Sequence, residues 1–339
     1  MAGVKALRRI QIGSEGETAG GAQAATFIWR GLGVIKDQEE VIFPEENVGF
    51  LGGTTRSYIA RYWAEMSMPE VEATFEQLPY LFEAGVQSQT PAVIAGTTPS
   101  GYAYSYAAPT TQQNTTRTYT IEGGDDQQAE EFSYGFVKQI TLSGEGQGAL
   151  FMSAEWVGQH VTNCSFTTPL TPPSVEEILV NNAVLYIDST TIGQTTVSNT
   201  LFGLNLNWTT GLKEYWACDG SKDFTITKQT GDEIVLGMTF EHNAAAVTQK
   251  ATWRNNEERL VRLKFTGTDL TTEGETYDAK TLQIDLAGVW EDWSVLDERD
   301  GNDVVEATLR VRYGQSVGSS IATCLKAEVV IVNENSTLD

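Results

Sequence analysis

Few residues of this chain combine the types and the spacing that catalysis or metal binding requires. Its two histidines, His160 and His242, have no partner at a metal-ligand spacing such as HExxH. The sequence also lacks a Walker A motif and a GxGxxG loop followed by an acidic residue. It therefore predicts no catalytic residue, no bound cofactor and no metal, and it favours a protein that is not an enzyme.

Two acidic turns and one tryptophan pair are the places where the sequence could still bind a cation or a sugar. Residues 123–126 (GGDD) lack the D-x-D-x-D-G spacing of a calcium loop, so a solvated hairpin turn is favoured. Residues 297–303 form an acidic turn between two predicted strands, where cation binding stays open. Trp290 and Trp293 could stack on a sugar, but at a spacing of three in a strand they would point to opposite faces. A core role is therefore favoured for at least one of them.

The composition limits the possible partners. The 339 residues carry a net charge of −23, which disfavours binding to nucleic acid or to anionic lipid. No secretory signal and no apolar run of membrane-spanning length is found, so no membrane partner is predicted. The three widely spaced cysteines, Cys164, Cys218 and Cys324, predict buried free thiols in a reducing compartment.

Alternating apolar and polar residues predict a mainly β protein. Val71, Ala73 and Phe75 should face a core, which turns the residues between them to the other side. A helix with Pro79 in its first turn should follow. Residues 132–158 predict a hairpin whose turn is Gly144–Gly148, and residues 25–29 predict a short strand.

The second half of the chain repeats this order. A strand ending in Thr239-Phe240-Glu241 matches Thr74-Phe75-Glu76, and a helix-compatible stretch follows from His242. Residues 262–266 then match 117–121, and residues 281–286 match 138–142. The proline-rich residues 166–175 predict a linker. The sequence thus predicts two domains of one topology, 1–165 and 176–339.

Two long segments do not fit a strand or helix pattern. Residues 31–60 contain glycines, acidic clusters and scattered apolar residues, and they predict a long loop. A loop of this length in a compact domain is usually functional or contacts a partner. Residues 90–116 are rich in Thr, Pro, Ser, Ala, Gly and Gln, and they predict a second exposed loop.

The arrangement resembles the tail tube proteins, or major tail proteins, of long-tailed, siphophage-like bacteriophages. The resemblance is carried by the sequence of residues 43–85, by RTYTIEGG (117–124) and by the hairpin VKQITLSGEGQGALFMSAEWVG (137–158). In the second half it is carried by KTLQIDLAGVWEDW (280–293) and EVVIVN (328–333). It is a likeness of pattern over residues 25–333, without an invariant catalytic motif.

The resemblance implies a structural virion protein with two tandem β-sandwich or split-barrel domains, each with a flanking helix. Such domains close a continuous β-barrel around a channel when they form a ring, and the rings stack into a tube that conducts the genome. The family commonly builds six-fold rings from single-domain subunits. A chain with two copies would instead give a trimeric ring with pseudo-six-fold symmetry. A hexamer with the second half as an outer decoration is the alternative.

The resemblance also indicates where the chain should make its contacts. The partners would be other copies of the chain, passing double-stranded DNA that is not bound, and the tape-measure, tail-tip and tail-terminator proteins. The protein would be part of the virion tail and would be assembled in the host cytoplasm. The candidates for contacts between rings are Arg8, Arg9, Glu45, Glu46, Phe50 and Arg56. The lumen-facing candidates are Glu70, Glu72, Thr74, Gln139, Thr141, Thr239, Glu241, Gln283 and Asp285.

A surface or decoration β-sandwich module that binds carbohydrate or a receptor is the competing hypothesis. Such a module would favour a groove lined by exposed aromatic side chains. The polar faces of the predicted strands could equally meet outside solvent, because the alternation does not say which sheet would face a channel.

Overall fold

The computed structural model of the chain describes residues 4–16, 21–94, 101–272, 274, 276–313 and 326–338. These residues form twenty β-strands and two α-helices, which confirms the mainly β prediction. The helices are α1 (Leu78–Gly85) and α2 (Ala244–Arg254), and two short 3-10 turns, Lys5–Leu7 and Val180–Asn182, precede β1 and β11.

The strands pair in antiparallel fashion throughout. Their bounds are β1 (Arg9–Gly16), β2 (Phe27–Trp29), β3 (Val34–Ile42), β4 (Tyr58–Glu72), β5 (Ala92–Val93), β6 (Tyr102–Ala107), β7 (Thr118–Gly124), β8 (Ala129–Glu145), β9 (Phe151–Gly158), β10 (Thr162–Cys164), β11 (Ala183–Asp188), β12 (Leu201–Thr209), β13 (Leu212–Tyr215), β14 (Ile226–Gln229), β15 (Glu233–Glu241), β16 (Glu258–Asp269), β17 (Ala279–Trp293), β18 (Asp297–Arg299), β19 (Asn302–Val311) and β20 (Ala327–Asn333).

The first half of the chain pairs its strands in two orders that share the long strand β8. The first part of β8 pairs with β7 and β10, and β7 continues through β1 to β2. The second part of β8 pairs with β9, which continues through β4 to β3. Helix α1 follows β4 and is buried over its whole length.

The second half has the same order of strand pairing. Strand β17 plays the part of β8: its first part pairs with β16 and β20, and β16 continues to β11. The second part of β17 pairs with β19, which continues through β15 to β12. Helix α2 follows β15 as α1 follows β4, and the side chain of Asn243 caps it by accepting bonds from Ala245 N and Ala246 N.

The residue matches predicted between the halves are wrong, although the order of elements is as expected. The β8–β9 pairing shifts register after Val137, and the β17–β19 pairing shifts after Trp290, so Gln139 corresponds to Asp292. Residues 281–286 pair with β16 and β20 and do not correspond to 138–142. By the same register Phe240 corresponds to Val71, not to Phe75. Alternating strands look alike at every even shift, so the sequence could not fix the register.

The pairing of β8 with β12 joins the two halves into a continuous sheet, and β6 also pairs with β20 across the halves. The end of β8 pairs with β12, from Gln139 opposite Thr209 to Glu145 opposite Gly203. We call this pairing the central joint. It produces an eight-strand sheet in the order β3-β4-β9-β8-β12-β15-β19-β17. Behind it, Trp208 of β12 packs edge-on against Phe82 of α1 at 5.8 Å between ring centroids. One hydrophobic core therefore spans both halves.

Both segments predicted as long loops contain strands. Within residues 31–60, β3 pairs with β4, so the connection between strands shrinks to residues 43–57. Within residues 90–116, β6 pairs with β20 of the second half. Its Tyr104 and Tyr106 are fully buried, and the Tyr104 hydroxyl donates to the Asn335 carbonyl. Polar and small residues around these strands concealed them in the sequence.

Candidate functional site: an acidic face on the continuous sheet

The eight-strand sheet has one apolar face and one polar face. Ile140, Leu142, Leu206, Trp208 and Leu236 lie on the buried side. Their neighbours along each strand lie on the opposite side, as the pleat requires. We call that side the acidic face, and its residues are Glu65, Ser67, Glu70, Glu72, Gln139, Thr141, Ser143, Glu145, Ser153, Glu155, Asn205, Asn207, Thr209, Glu233, Thr239, Glu241, Asp292, Glu306, Thr308 and Arg310.

Short polar groups hold some of these carboxylates in place. The Ser143 hydroxyl donates to Glu70 at 2.7 Å, and the Ser67 hydroxyl donates to Glu155 at 2.8 Å. Arg310 is the one cation in the set, and it pairs with Glu233 and with Glu291 of β17. No salt bridge among the described residues involves Glu70, Glu72 or Glu306. The face therefore keeps a negative surplus on a rigid sheet.

A groove of about 710 Å³ runs across the acidic face at the central joint. It is lined by Glu70, Ser143, Asn205, Thr239 and Glu306, together with the glycines Gly203 and Gly237. The lining combines polar side chains and carboxylates with the apolar Phe151, Leu204 and Met238, and it contains no Lys or Arg. The carboxylates of such a surface repel phosphate.

The structure brings six of the predicted lumen-facing residues together on this face. Glu70 and Glu72 are exposed, and Gln139, Thr141, Thr239 and Glu241 are partly exposed on neighbouring strands. All six lie within the eight-strand sheet. They come from both halves of the chain, and the central joint sets Gln139 and Thr141 beside β12.

Three of the predicted residues do not belong to the acidic face. Thr74 is 3% exposed, because β4 ends at Glu72 and the chain has already turned toward α1. Gln283 and Asp285 are 9% and 4% exposed, because the first part of β17 lies between β16 and β20. Alternation alone could not show that the first part of β17 pairs with β16 and β20, whereas its second part pairs with β19.

Asp285 has a structural role instead. Its carboxylate accepts two hydrogen bonds from Arg262, both at 2.7 Å, and a third from Gln283. This hydrogen bonding raises the pKa of Arg262. The Asp285 side chain is 6% exposed and that of Arg262 is 24% exposed.

We expect Asp285→Ala to lower the free energy of unfolding by about 3 kcal/mol, because it leaves the Arg262 charge poorly compensated. Chemical denaturation measures this loss. Thr141→Ala on the acidic face is the control, and it should stay within about 0.5 kcal/mol of the parent. Equal stability of the Asp285→Ala variant would contradict the assignment.

The predicted contacts between rings fall at two separate places. Arg8 and Arg9 line a pocket of about 240 Å³ together with residues 31–35. Glu45, Glu46, Phe50 and Arg56 lie in the β3–β4 loop. There the Glu46 carboxylate accepts hydrogen bonds from Thr55 and Arg56, while Phe50 is 70% exposed. The loop thus presents apolar side chains to solvent.

The tryptophan pair and the cysteines depart from expectation. A register shift between Trp290 and Asp292 turns both Trp290 and Trp293 to the buried side, 3% and 6% exposed, and their rings meet edge-on. Burial and nearby glutamates raise the pKa of the half-buried Cys164 thiol to about 11. Cys218 is exposed, which contradicts its predicted burial, and Cys324 lies outside the described residues.

Few features of the described residues point to metal binding or a membrane span. These residues contain no group of three or more His, Cys, Asp or Glu that could hold a metal ion. No helix among them is long and apolar enough to cross a membrane. A GxSxG sequence, which our prediction missed, occurs at residues 314–318 and lies outside the described residues. The two acidic turns occur as hairpin turns, β7–β8 and β18–β19.

The sequence contained signals for further face residues that our prediction missed. Strand β12 alternates as LNLNW, and β19 alternates as EATLR. Each places polar side chains such as Asn205, Asn207, Glu306 and Arg310 opposite buried ones. The alternation could have identified them, but only the central joint reveals that they share a surface with β4 and β8.

Comparison of the sequence with models of known families and with curated proteins finds no match. The geometry of the acidic face and the order of the strands therefore carry the functional argument.

Proposed function

We propose that the chain is a structural subunit of a bacteriophage tail tube, which assembles into rings that stack around a channel. The observation that carries the proposal is the acidic face, which continues from one half of the chain into the other without a break. In this proposal each half is a tail-tube domain that contributes four strands to the wall. Three chains then supply six equivalent units, as a trimeric ring with pseudo-six-fold symmetry.

An acidic wall suits the passage of DNA. Phosphates are repelled by carboxylates held on a rigid sheet, so the duplex slides instead of adsorbing. Within about 8–10 Å of the wall, this repulsion is only partly screened at physiological salt. The wall needs no catalytic group and no cofactor. On this account the protein belongs to the virion tail, and its partners are its own copies and the tape-measure, tail-tip and tail-terminator proteins.

The β3–β4 loop is the proposed contact between stacked rings. Phe50 and Leu51 are 70% and 110% exposed at its tip, where they contribute nothing to the core of one chain. Replacing residues 46–54 by two glycines should leave the fold intact and abolish tubes, because adjacent rings lose this apolar contact. Negative-stain microscopy of the purified proteins measures the outcome.

The parent protein should form tubes with a central hole, and the loop variant should form single rings. Val247→Ala, which removes an exposed apolar side chain on α2 outside the loop, is the matched control and should still form tubes. Full-length tubes from the loop variant would show that the loop does not connect rings. Dispersed monomers of the parent would contradict the proposed function.

A carbohydrate-binding module remains a second candidate because of one surface cluster. Trp63 and Trp216 meet edge-on at 6.3 Å, and the Arg61 guanidinium lies 4.5 Å from the Trp216 ring centroid. These aromatic rings are partly exposed, as sugar-stacking rings are. Binding of glycans on an array, lost in Trp216→Ala, would favour this function over the tube.

A further inference from the structure

The eight-strand sheet ends in two edges that have no partner among the described residues. At one end, β3 pairs with β4 alone. At the other end, residues 290–293 of β17 and strand β18 pair with β19 alone. Unpaired N–H and C=O groups along such edges are a template for pairing with another strand.

Because the two halves repeat one order of strands, these two unpaired edges correspond to the two strands that pair at the central joint. Strand β3 corresponds to β12, since each is the partner of the strand that precedes a helix. The end of β17, continued by β18, corresponds to the end of β8. Inside the chain, β8 and β12 are paired over seven residues. The same pairing between two copies would join β17–β18 of one to β3 of the next.

At the central joint, the β8–β9 turn packs against the start of β12. In the first half, a pocket lies at the place that corresponds to this contact. The β8–β9 turn lies against the start of β12 and the 3-10 turn before β11. Gly146 N donates to the Phe202 carbonyl at 2.9 Å, and Val180 N donates to the Gly148 carbonyl at 3.0 Å. In the first half, the start of β3 and the residues after the 3-10 turn Lys5–Leu7 instead border the pocket of about 240 Å³ that Arg8 and Arg9 line.

The turn that corresponds to the β8–β9 turn carries a net negative charge. It is the β18–β19 turn, which carries Asp297, Glu298 and Asp300 together with Arg299, whose side chain pairs with Glu145 of the same chain. The pocket presents Arg8 and Arg9, although Asp125 and Glu130 also line it. Exposed apolar residues flank both sides: Val295 is 83% exposed, and Val34 is 54% exposed. Their burial against each other would remove apolar surface from water.

We propose that copies of this chain join head to tail by antiparallel pairing of β3 with the β17–β18 edge of a second copy, whose β18–β19 turn fills the Arg8–Arg9 pocket. The inference rests on the proposed ring, and it deepens it by assigning the joint and its register. It also places Arg8 and Arg9 within a ring, rather than between rings as the sequence suggested.

The central joint supplies the register. Lys36 pairs with Glu65 of β4, which pairs with Val157 of β9. Asn207 pairs with Val235 of β15, which pairs with Arg310 of β19. Because Val157 and Arg310 occupy equivalent positions, Lys36 corresponds to Asn207. Gln38 then corresponds to Thr209, and Asp292 corresponds to Gln139. Since Gln139 lies opposite Thr209, Asp292 of one copy lies opposite Gln38 of the next.

Cysteine cross-linking tests this register. Opposed residues of antiparallel strands have Cα atoms about 4.5–5.5 Å apart, which suits a disulfide. In a Cys164→Ser, Cys218→Ser, Cys324→Ser background, the Gln38→Cys, Asp292→Cys variant should oxidise to covalent oligomers on non-reducing gels. Gln139→Cys, Thr209→Cys is the matched control, and it should oxidise within single chains. Lys36→Cys, Asp292→Cys, shifted by two residues, should cross-link at least ten-fold more slowly.

The outcomes separate this inference from the proposed function. Rings in the microscope without the 38–292 cross-link, or with faster cross-linking of the shifted pair, would overturn the register and leave the ring standing. Absence of rings in the background protein would overturn the proposed function as well. Arg8→Glu should slow the 38–292 cross-link several-fold. An unchanged rate would show that the β18–β19 turn does not occupy the pocket.

Discussion

Trp208→Ala should lower the free energy of unfolding by about 4 kcal/mol. Trp208 is 1% exposed and lies opposite Ile140 at the central joint, with its ring against Phe82 of α1. Removing it leaves a cavity between the halves. Chemical denaturation measures the loss, and ring formation should fall with it if the joint is part of the proposed channel wall.

Trp208→Phe is the matched control. The indole N–H of Trp208 is buried without a hydrogen-bond partner among the described residues, so its loss leaves no new unsatisfied group. The smaller ring keeps most of the contact with Phe82, and the variant should lose about 1 kcal/mol. Equal stability of the alanine and phenylalanine variants would show that the joint does not depend on this packing.

If the acidic face lines the proposed channel, changing Glu70 and Glu72 together to lysine should make the channel wall bind DNA instead of repelling it. Both side chains are exposed on the acidic face, so assembly should be nearly unaffected, within about 0.5 kcal/mol per site. Each ring would repeat the new cations around its channel and attract phosphates. We expect slower genome ejection from particles that carry the double variant, and retention of duplex DNA by purified tubes that weakens steeply with salt.

Asp269→Lys together with Asp278→Lys is the control for net charge. These exposed residues lie at the β16–β17 turn, at the other end of β17 from the acidic face. This variant should eject DNA at the parental rate. If the Glu70, Glu72 double variant also ejects at the parental rate from normal tails, the acidic face does not line the path of the genome.

The sequence predicts the elements of this fold better than their arrangement. Alternation identified β4, the β8–β9 hairpin and β15, because one side of each is buried and the other is polar. Pro79 correctly marked the first turn of α1. Strand β3 escaped because an edge strand has no buried side to alternate with: its burial changes irregularly, and Lys36 and Asp37 are both exposed.

The acidic face could be predicted only in part, for reasons of register. Glu70 and Glu72 follow from local period-two geometry alone. Gln283 and Asp285 have the same local pattern but a different neighbour, β20, which comes from a distant part of the chain. The bulge after Trp290 likewise reverses the side to which Trp293 points. Such shifts depend on pairing between strands, which no local pattern encodes.

Electron cryo-microscopy of the assembled protein tests the central claim most directly. The account predicts rings of three copies with pseudo-six-fold symmetry, whose channel is lined by Glu70, Glu155, Asn205, Thr239 and Glu306. The eight-strand sheets of neighbouring copies should run into one another around the channel. A ring in which the acidic face meets outside solvent, or a protein that stays monomeric at every concentration, would contradict it.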